Sequence, residues 1–383
     1  MQILGNLTQS EFLEQYWQKK PYLIRQAFPD YKSPISPEEL AGLACEEGID
    51  SRLIQRDESN NTWRVEYGPF KENDFTSLPK SNWSLLVQAV NHHNPELSYL
   101  LDEFNFIPNW RIDDVMVSYA PMHGSVGPHF DNYDVFLLQG KGHRHWYINE
   151  NAYTEDDFVD DLSLKILNNF NGEKDWVLNP GDMLYLPPGV AHHGIALDDC
   201  LTYSIGFRAP SQKELLSAFA INFNDVKKDK FYADPGLKLQ ESPGEIKKEH
   251  IESLRELILT VCADEKEFTS WFGRFITNNH NDYEQEQKTF DEVAFNKYLN
   301  QKKQIYRHGN VRMSYVKDDE TIKLFYAGNE YSLPKTQLRL IQYLCSKHQL
   351  ECLVLMSFDK NDEVMRLLYE LYKNGFFYLD EAV

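Results

Sequence analysis

The segment between Asp114 and Arg208 constrains the fold most strongly, because it consists of short β-type runs separated by turns. Glycine and proline recur between these runs, which are VMVSYA, DVFLLQG, HWYIN, DWVLNPGDMLYLPPG, HGIAL and LTYSIGF. Short strands at this spacing predict a β-sandwich or a β-barrel and not an alternation of strands and helices. The sequence has no glycine-rich phosphate loop and no G-x-S-x-G motif, so nucleotide binding and serine hydrolysis are poor candidates.

The sequence on either side of this β-rich segment has helical patterns. Near the N-terminus, Thr8 with Glu11 and Ser36 with Glu39 have the spacing of capping boxes, and the run YLIR between them predicts a strand. Beyond residue 210, apolar residues recur at helical spacing over residues 251–261 and 268–275. We expect the first of these two stripes to form core, with a subunit contact as the alternative.

The last eighty residues combine short strands with two predicted helices, at about residues 336–348 and 361–374. This pattern resembles a winged helix. A stretch rich in Lys, Asn and Gln at about residues 278–304 precedes it and is a candidate boundary.

Net charge is distributed unevenly along the 383 residues. The formal net charge is −20, whereas residues 301–383 carry 12 basic and 11 acidic side chains. An acidic body repels phosphate backbones and attracts basic partners, although a charged surface also serves solubility alone. The near-neutral C-terminal module lacks the basic surface that DNA binding usually requires, so we predict no direct DNA binding.

Cysteine usage and hydropathy indicate a cytoplasmic protein. The five cysteines are scattered and form no C-x-x-C pair, which is typical of a reduced compartment. No apolar run of about 18 residues is present, so we predict no membrane span. The first residues lack the basic and apolar regions of a secretion signal.

His129 and Asp131 form an H-x-D triplet just ahead of a predicted strand at residues 135–138. Residues two apart on an extended chain point to the same side, so both side chains can reach one ion. Such triplets also arise by chance on surface turns, so a metal site requires a further ligand elsewhere in the chain.

A distant box, NPGDMLYLPPGVAHHG at residues 179–194, supplies that ligand. Its Pro-Gly-Asp and Pro-Pro-Gly triplets predict two turns around a strand, and the second turn delivers a histidine to a barrel mouth. Two histidines and one carboxylate on one face leave coordination positions open, as in oxygen-activating non-haem Fe(II) sites. Structural zinc fits less well, since it closes its shell with four ligands, mostly cysteines.

Arg144 lies between two histidines, about one strand beyond the H-x-D triplet. A 2-oxoglutarate molecule that chelates iron through its keto-acid end needs a cation deeper in the pocket for its far carboxylate. The planar fork of arginine matches a carboxylate, so Arg144 is a candidate anchor. The alternative interpretation is a solvated arginine at a strand end.

Together these motifs resemble the JmjC-type 2-oxoglutarate oxygenases, in particular the bacterial ribosomal oxygenases. The similarity includes FLEQYWQKKPYLIR, VMVSYAPMHGSVGPHFDNYDVFLLQGKGHRHW, PGDMLYLPPGVAHHG and LTYSIGFRAP. The family implies a mainly β plus α fold, with a double-stranded β-helix (cupin/JmjC) barrel and an N-terminal α/β elaboration in residues 1–210. It also implies a helical dimerisation region in residues 211–300 and a winged-helix-like domain in residues 301–383.

The resemblance further implies an Fe(II)- and 2-oxoglutarate-dependent dioxygenase that uses O₂ to hydroxylate a ribosomal protein of the large subunit. In the most similar bacterial members the target is an arginine, hydroxylated at its β-carbon, and the protein is the sixteenth of the large subunit. Carried over by motif, His129, Asp131 and His192 are the catalytic metal ligands. Arg144 holds the C5 carboxylate of 2-oxoglutarate, and Ser118 helps to hold it.

Several neighbouring polar residues have less definite roles. Thr202 and Ser204 are predicted to point toward the same pocket. The family pattern has one histidine where this chain has His192 and His193, so the sequence alone permits either as the third ligand. The remaining histidines of this region match no ligand position, and we interpret them as solvated or as neighbours of the ligands; they are His123, His143 and His145.

Three other functions remain open at this point. A ribosomal histidyl hydroxylase would share the same motifs. A demethylase would need a cage for a methylated ammonium, which we do not identify in the sequence. A non-enzymatic metal-binding cupin regulator is disfavoured by Arg144. The predicted partners are a basic ribosomal protein as substrate and a second copy of the chain in a homodimer.

Overall fold

The computed structural model describes residues 3–57, 59, 62–159, 164–223, 230–239, 241–278, 290–301, 303–358 and 362–379. The chain forms two compact units. The first combines Met1–Ala209, Gln285–Asn310 and Ser346–Val383, and the second combines Pro210–Glu284 and Val311–Cys345. The predicted C-terminal domain thus contributes residues to both units, and the predicted domain borders at residues 210 and 300 stay a prediction.

The first 209 residues contain the barrel and its N-terminal elaboration. The helices and strands that the structure describes there are, in chain order, α1 (Gln9–Gln15), β1 (Tyr22–Ile24), α2 (Pro37–Ala44), β2 (Ser51–Asp57), β3 (Thr62–Tyr67), α3 (Glu72–Thr76), β4 (Trp83–Val87), α4 (Pro95–Leu101), β5 (Ile112–Ala120), β6 (Val135–Lys141), β7 (Arg144–Asn149), β8 (Lys174–Leu178), β9 (Met183–Leu186), β10 (Ala191–Ala196) and β11 (Cys200–Phe207). The strands predicted between residues 114 and 208 are confirmed.

These strands form two antiparallel sheets. The large sheet has the order β1-β9-β6-β11-β5-β4-β2-β3, and the small sheet has the order β10-β7-β8. Side chains from β6 and β9 in the large sheet and from β7 and β8 in the small sheet meet in one apolar cluster, so the sheets face each other. This is the double-stranded β-helix that the resemblance to the JmjC family implies.

The outward face of the large sheet carries the main core. Its apolar side chains pack against the N-terminal helices and are joined by a group of aromatic rings. Within this group, the ring centre of Phe12 lies 5.0 Å from that of Tyr185 and 5.6 Å from that of Phe136. Burial of such large apolar side chains contributes about 1.5–3 kcal/mol each, which makes this face the main source of stability.

Both predicted capping boxes are confirmed. The side chains of Thr8 and Ser36 accept hydrogen bonds from the backbone N–H groups of Glu11 and Glu39. The two glutamates bond back to the cap residues, which fixes the first turns of α1 and α2.

The rest of the chain adds short helices and two further sheets. The elements described there are α5 (Gln212–Phe223), α6 (Lys248–Cys262), α7 (Glu265–Thr277), α8 (Glu292–Leu299), β12 (Gln304–Arg307), β13 (Met313–Lys317), β14 (Thr321–Tyr326), β15 (Asn329–Pro334), α9 (Leu338–Ser346), β16 (Gln349–Glu351), α10 (Cys352–Leu355), α11 (Asp362–Lys373) and β17 (Phe377–Leu379). The predicted C-terminal helices are confirmed as α9 and α11. The stretch taken as a boundary contains α8, which the sequence did not predict.

The C-terminal part of the first unit is bonded to the barrel region by side chains that include Asp102, Asn91 and Asn105. His348 Nδ1 lies 2.6 Å from a carboxylate oxygen of Asp102, and both side chains are largely buried. The side-chain amide of Asn91 donates to the carbonyl of Gly309 at 3.1 Å. Beyond these contacts, β12 pairs with β16 and β17 to complete the unit.

Helix α6 belongs to the second unit and has no buried residue. Three of its apolar side chains, Ile251, Leu254 and Ile258, are 55, 45 and 70 % exposed. The expectation that this stripe forms core is therefore wrong for a single chain. No helix among the described residues is long and apolar enough to cross a membrane.

Candidate metal centre and active site

The structure brings His129, Asp131 and His192 together at the mouth of the barrel. One potential ligand atom from each residue lies within 4.8 Å of the others. Nε2 of His192 is 3.8 Å from a carboxylate oxygen of Asp131, and the two imidazole rings are 4.3 Å apart. Two histidines and one carboxylate that converge in this way offer three ligands on one side of an ion and leave the other side open.

Backbone hydrogen bonds explain why His129 and His192, which are 63 positions apart, meet. The N–H of His129 donates to the carbonyl of His192 at 3.0 Å, and the N–H of His192 donates back at 2.8 Å. The Pro-Pro-Gly turn closes beside this bridge, where the N–H of Gly189 donates to the carbonyl of Asp131 at 2.7 Å. Gly189 has a φ of +82°, a left-handed conformation that glycine adopts without steric cost.

The orientation of both imidazoles suits a metal. Nδ1 of His129 lies 3.0 Å from the carbonyl of Gly127, and Nδ1 of His192 lies 3.1 Å from that of Val190. With Nδ1–H donating to a carbonyl, each Nε2 keeps its lone pair for the ion. Burial and the neighbouring His129 lower the pKa of His192 to about 4, so this ligand is neutral near pH 7, as coordination requires.

The adjacent His193 has different surroundings. Neighbouring residues of a strand point to opposite sides of the sheet, and the ring of His193 lies near Phe170 and Tyr147, at 6.0 and 6.4 Å. Among the described residues, the group of converging metal-ligand side chains contains His192 and not His193. The geometry thus favours His192, the histidine that the motif also indicated.

Arg144 lies between the two sheets with only 3 % of its surface exposed. Nη1 is 3.4 Å from the hydroxyl of Ser118, while Nε and Nη2 are buried and have no hydrogen-bond partner in the described part of the chain. The guanidinium also lies over the ring of Trp146, at 5.6 Å. Burial of a cation with unpaired N–H groups costs free energy unless an anion binds to it. The unpaired Nε and Nη2 of Arg144 have the geometry to bind a carboxylate.

A row of polar side chains crosses the large sheet opposite Arg144. Thr202 pairs with Ser118 on one side and with Gln139 on the other, and all three residues are buried. The hydroxyl of Thr202 donates to the side-chain oxygen of Gln139 at 3.1 Å. Ser204, the other residue that the sequence suggested, lies two positions further along β11 and is half-buried.

Gln139 and Trp146 were missed at the sequence level, although both border the pocket. Their position depends on strand register, which the local pattern does not specify. The tryptophan ring lies 5.8 Å from that of His192, and it covers Gly194 so closely that a Cβ there would lie 2.7 Å from a ring carbon. Gly194, the glycine of the His-His-Gly box, therefore makes room for Trp146. This glycine is the feature of the sequence that could have indicated a large side chain packed against it.

The three histidines that matched no ligand position, His123, His143 and His145, are outside the group of converging ligand side chains. His123 is exposed, with a φ of +65°. His143 and His145 each bond to an aspartate at 2.6 Å, Asp198 and Asp175 respectively.

Comparisons with known proteins agree with this site. The family model described as "JmjC domain" matches residues 99–215, and the "ROXA-like winged helix" matches residues 260–378. The ribosomal protein uL16 3-hydroxylase of Escherichia coli (strain K12) is 40 % identical over 273 residues, which cover 71 % of this chain and 72 % of that protein. A probable ribosomal oxygenase of Haemophilus influenzae is 39 % identical over 282 residues, 71 % and 69 % of the two chains.

A solved structure extends the similarity to the whole chain. The ribosomal oxygenase YcfD of Escherichia coli, in complex with cobalt and 2-oxoglutarate, has a TM-score of 0.84 and 32 % identity, and the match covers 98 % of this chain and 99 % of that one. A double-stranded β-helix with a His-x-Asp…His triad and a buried arginine defines an oxygenase of the JmjC class. Within that class, this chain belongs to the ribosomal oxygenases.

Proposed function

We propose that this protein is an Fe(II)- and 2-oxoglutarate-dependent dioxygenase that hydroxylates the β-carbon of an arginine in ribosomal protein uL16. The observation that carries the proposal is the buried guanidinium of Arg144, whose Nε and Nη2 have no partner among the described residues and which faces the pocket beside the triad. A metal-binding cupin without a co-substrate would have no use for such a cation. The relative named as a uL16 3-hydroxylase supports the choice of substrate.

His129, Asp131 and His192 would hold the iron. Bound Fe(II), together with 2-oxoglutarate and O₂, supplies the oxidation that converts the co-substrate to succinate and CO₂ and places one oxygen atom on the substrate. The carbonyl groups of Gly127 and Val190 hold the two imidazoles so that Nε2 faces the ion. The Asp131 carboxylate supplies the negative charge of the site.

Arg144 would bind the C5 carboxylate of 2-oxoglutarate through its unpaired N–H groups, and Ser118 would support it. The polar row of Thr202 and Gln139 borders the same position from the large sheet. Trp146 covers the guanidinium and excludes water from that side, which strengthens the ion pair.

The mouth of the barrel offers negative charge to a basic substrate. Burial of the phenol and the nearby carboxylates of Asp131, Asp114 and Asp113 raise the pKa of Tyr133 above its usual range. An acidic surface suits a guanidinium, which stays charged, better than a neutral imidazole, and this supports an arginine over a histidine as the target. The overall net charge of −20 agrees with a basic partner.

Mass spectrometry of ribosomal proteins from cells with and without the gene tests this function. We expect the mass of one added oxygen atom on an arginine of uL16, present only when the gene is intact. In vitro, a uL16 peptide with that arginine should be hydroxylated, and the same peptide with histidine at this position should not. Hydroxylation of the histidine peptide alone would establish a histidyl hydroxylase instead.

We also propose that the protein forms a homodimer through its helical region, residues 211–300. The exposed apolar stripe of α6 supports this proposal, since a contiguous apolar face on a helix is typical of a subunit contact. Light scattering should give a mass of two chains, and Ile258→Glu on this stripe should shift it toward one. A monomeric wild-type protein at micromolar concentration would contradict the proposal.

The remaining partner predictions are also proposals. The C-terminal module would not bind DNA, because it is nearly neutral. The protein would act in the cytoplasm without a membrane partner, where ribosomal proteins are made and can be modified before assembly.

A further inference from the structure

A second polar network lies behind two segments that precede strands of the site, residues 121–134 before β6 and residues 187–190 between β9 and β10, here called the ligand loops. Its centre is Asp134, a fully buried carboxylate three residues after Asp131. One carboxylate oxygen accepts from the hydroxyl of Tyr185 at 2.6 Å, and the other accepts from Gln18 Nε2 at 2.9 Å and Arg111 Nη2 at 3.0 Å. A buried carboxylate with three donors, one of them charged, is held in a fixed position.

Tyr185 connects this network to the second ligand loop. It lies on β9, whose last residue, Leu186, immediately precedes the Pro-Pro-Gly turn that leads to His192. Its hydroxyl also accepts from the backbone N–H of Gln18 at 2.7 Å. Tyr185 lies on the strand that leads into the Pro-Pro-Gly turn, and Asp134 is the last residue of the loop that contains His129 and Asp131. The bond between them therefore connects the two loops.

The two ligand loops are held relative to each other on both sides. On the metal side, the N–H of Gly189 bonds to the carbonyl of Asp131. On the opposite side, the side chains of Tyr185 and Asp134 bond to each other within the aromatic core. The backbone pairing of β6 with β9 places Val135 opposite Leu186 beside the loops. The bond between the side chains of Tyr185 and Asp134 reinforces that end of the pairing.

We propose that Asp134 and Tyr185 are positioning residues that set the separation of Asp131 from His192, and through it the affinity of the site for its metal. They touch neither substrate nor co-substrate and act only through the two loops. This inference rests on the proposed ligand set. Partners of metal ligands typically change metal affinity by about 10- to 100-fold when they are removed, and a more distant pair belongs at the lower end.

The test uses Co²⁺ as the probe in the full-length protein. Tyr185→Phe keeps the ring in the aromatic core and removes only the hydroxyl. We expect its dissociation constant for Co²⁺ to rise about tenfold, with a changed visible absorption spectrum of the bound ion. The apparent KM for 2-oxoglutarate should stay the same, because Arg144 is unaffected.

Tyr203→Phe is the matched control. Tyr203 is also fully buried on the outward face of the large sheet, and its hydroxyl bonds to that of Ser33 at 2.5 Å, away from both ligand loops. This variant should lose stability to a similar extent and bind Co²⁺ as the wild type does. The double variant Tyr185→Phe/Asp134→Asn should weaken Co²⁺ binding by less than the product of the single effects, because both substitutions break one link.

A second variant keeps the test decisive if Tyr185→Phe does not fold. Gln18→Asn removes one donor to Asp134, and asparagine tolerates the left-handed φ of +57° at this position. We expect weaker Co²⁺ binding in the same direction. Unchanged Co²⁺ affinity and spectrum in the folded variants would overturn the positioning role, whereas wild-type Co²⁺ binding by His129→Ala would overturn the ligand set itself.

Discussion

The two faces of the large sheet differ in chemistry, although neighbouring residues of the same strands form them. Ser118, Thr202 and Gln139 face Arg144, whereas the next row, Val117, Tyr203 and Leu138, belongs to the aromatic core. Both rows are buried. The inward row presents hydrogen-bonded polar groups to the pocket, and the outward row supplies the apolar burial that stabilises the sheet.

The largest expected effect is the loss of activity on removal of a proposed ligand histidine, compared with removal of the adjacent His193. His129→Ala and His192→Ala should abolish succinate formation with the fold retained, because each removes a proposed metal ligand at the barrel mouth. His193→Ala should keep most of the turnover, since this side chain points to the other side of the strand. Succinate assays and circular dichroism give the readouts. Loss of activity in His193→Ala with full activity in His192→Ala would shift the ligand by one residue.

A substitution on the outward face should cost stability and leave co-substrate binding intact. Leu138→Ala removes a fully buried side chain from the core, so we expect the free energy of unfolding to fall by about 2–5 kcal/mol. Denaturant unfolding measures this loss, and the apparent KM for 2-oxoglutarate should not change. A large rise in that KM would show that the two faces are not independent.

For a substitution on the inward side of the barrel, we expect the KM for 2-oxoglutarate to rise and the stability to be kept. Arg144→Met removes the proposed charge-assisted bond to the co-substrate, about 1.5–3 kcal/mol, and should raise the KM for 2-oxoglutarate roughly ten- to a hundredfold. Without co-substrate the variant should be at least as stable as the wild type, because a buried unpaired cation has been replaced by an apolar side chain. An unchanged KM would point to another cation, such as Lys141, as the anchor.

The smallest expected effect concerns the outer surface of the mouth. Turnover of a basic peptide at subsaturating concentration should fall as salt rises from about 0.05 to 0.5 M, because screening shortens the range of attraction to the acidic surface. Decarboxylation of 2-oxoglutarate without peptide should change much less, since its anchor lies inside the barrel. Equal salt dependence of the two reactions would refute steering by charge.

Residues of the site that lie close together in sequence could be predicted without the structure. The two-residue spacing of His129 and Asp131 and the turn before His192 follow from local backbone geometry. Gln139 and Trp146 could not be predicted, because their position depends on which strand pairs with which, and in what register. The helix α6 shows the same limit, since its periodic pattern identifies an apolar face but not what covers it.

The discontinuous first unit has a consequence for synthesis of the protein. Residues 346–383 belong to this unit but leave the translating ribosome after the entire second unit has been made. The bond between Asp102 and His348 therefore forms late, and until then the barrel side of that contact is exposed to solvent. A nascent chain whose barrel has already folded is still vulnerable to proteolysis there, and protection should appear only after His348 has left the ribosome.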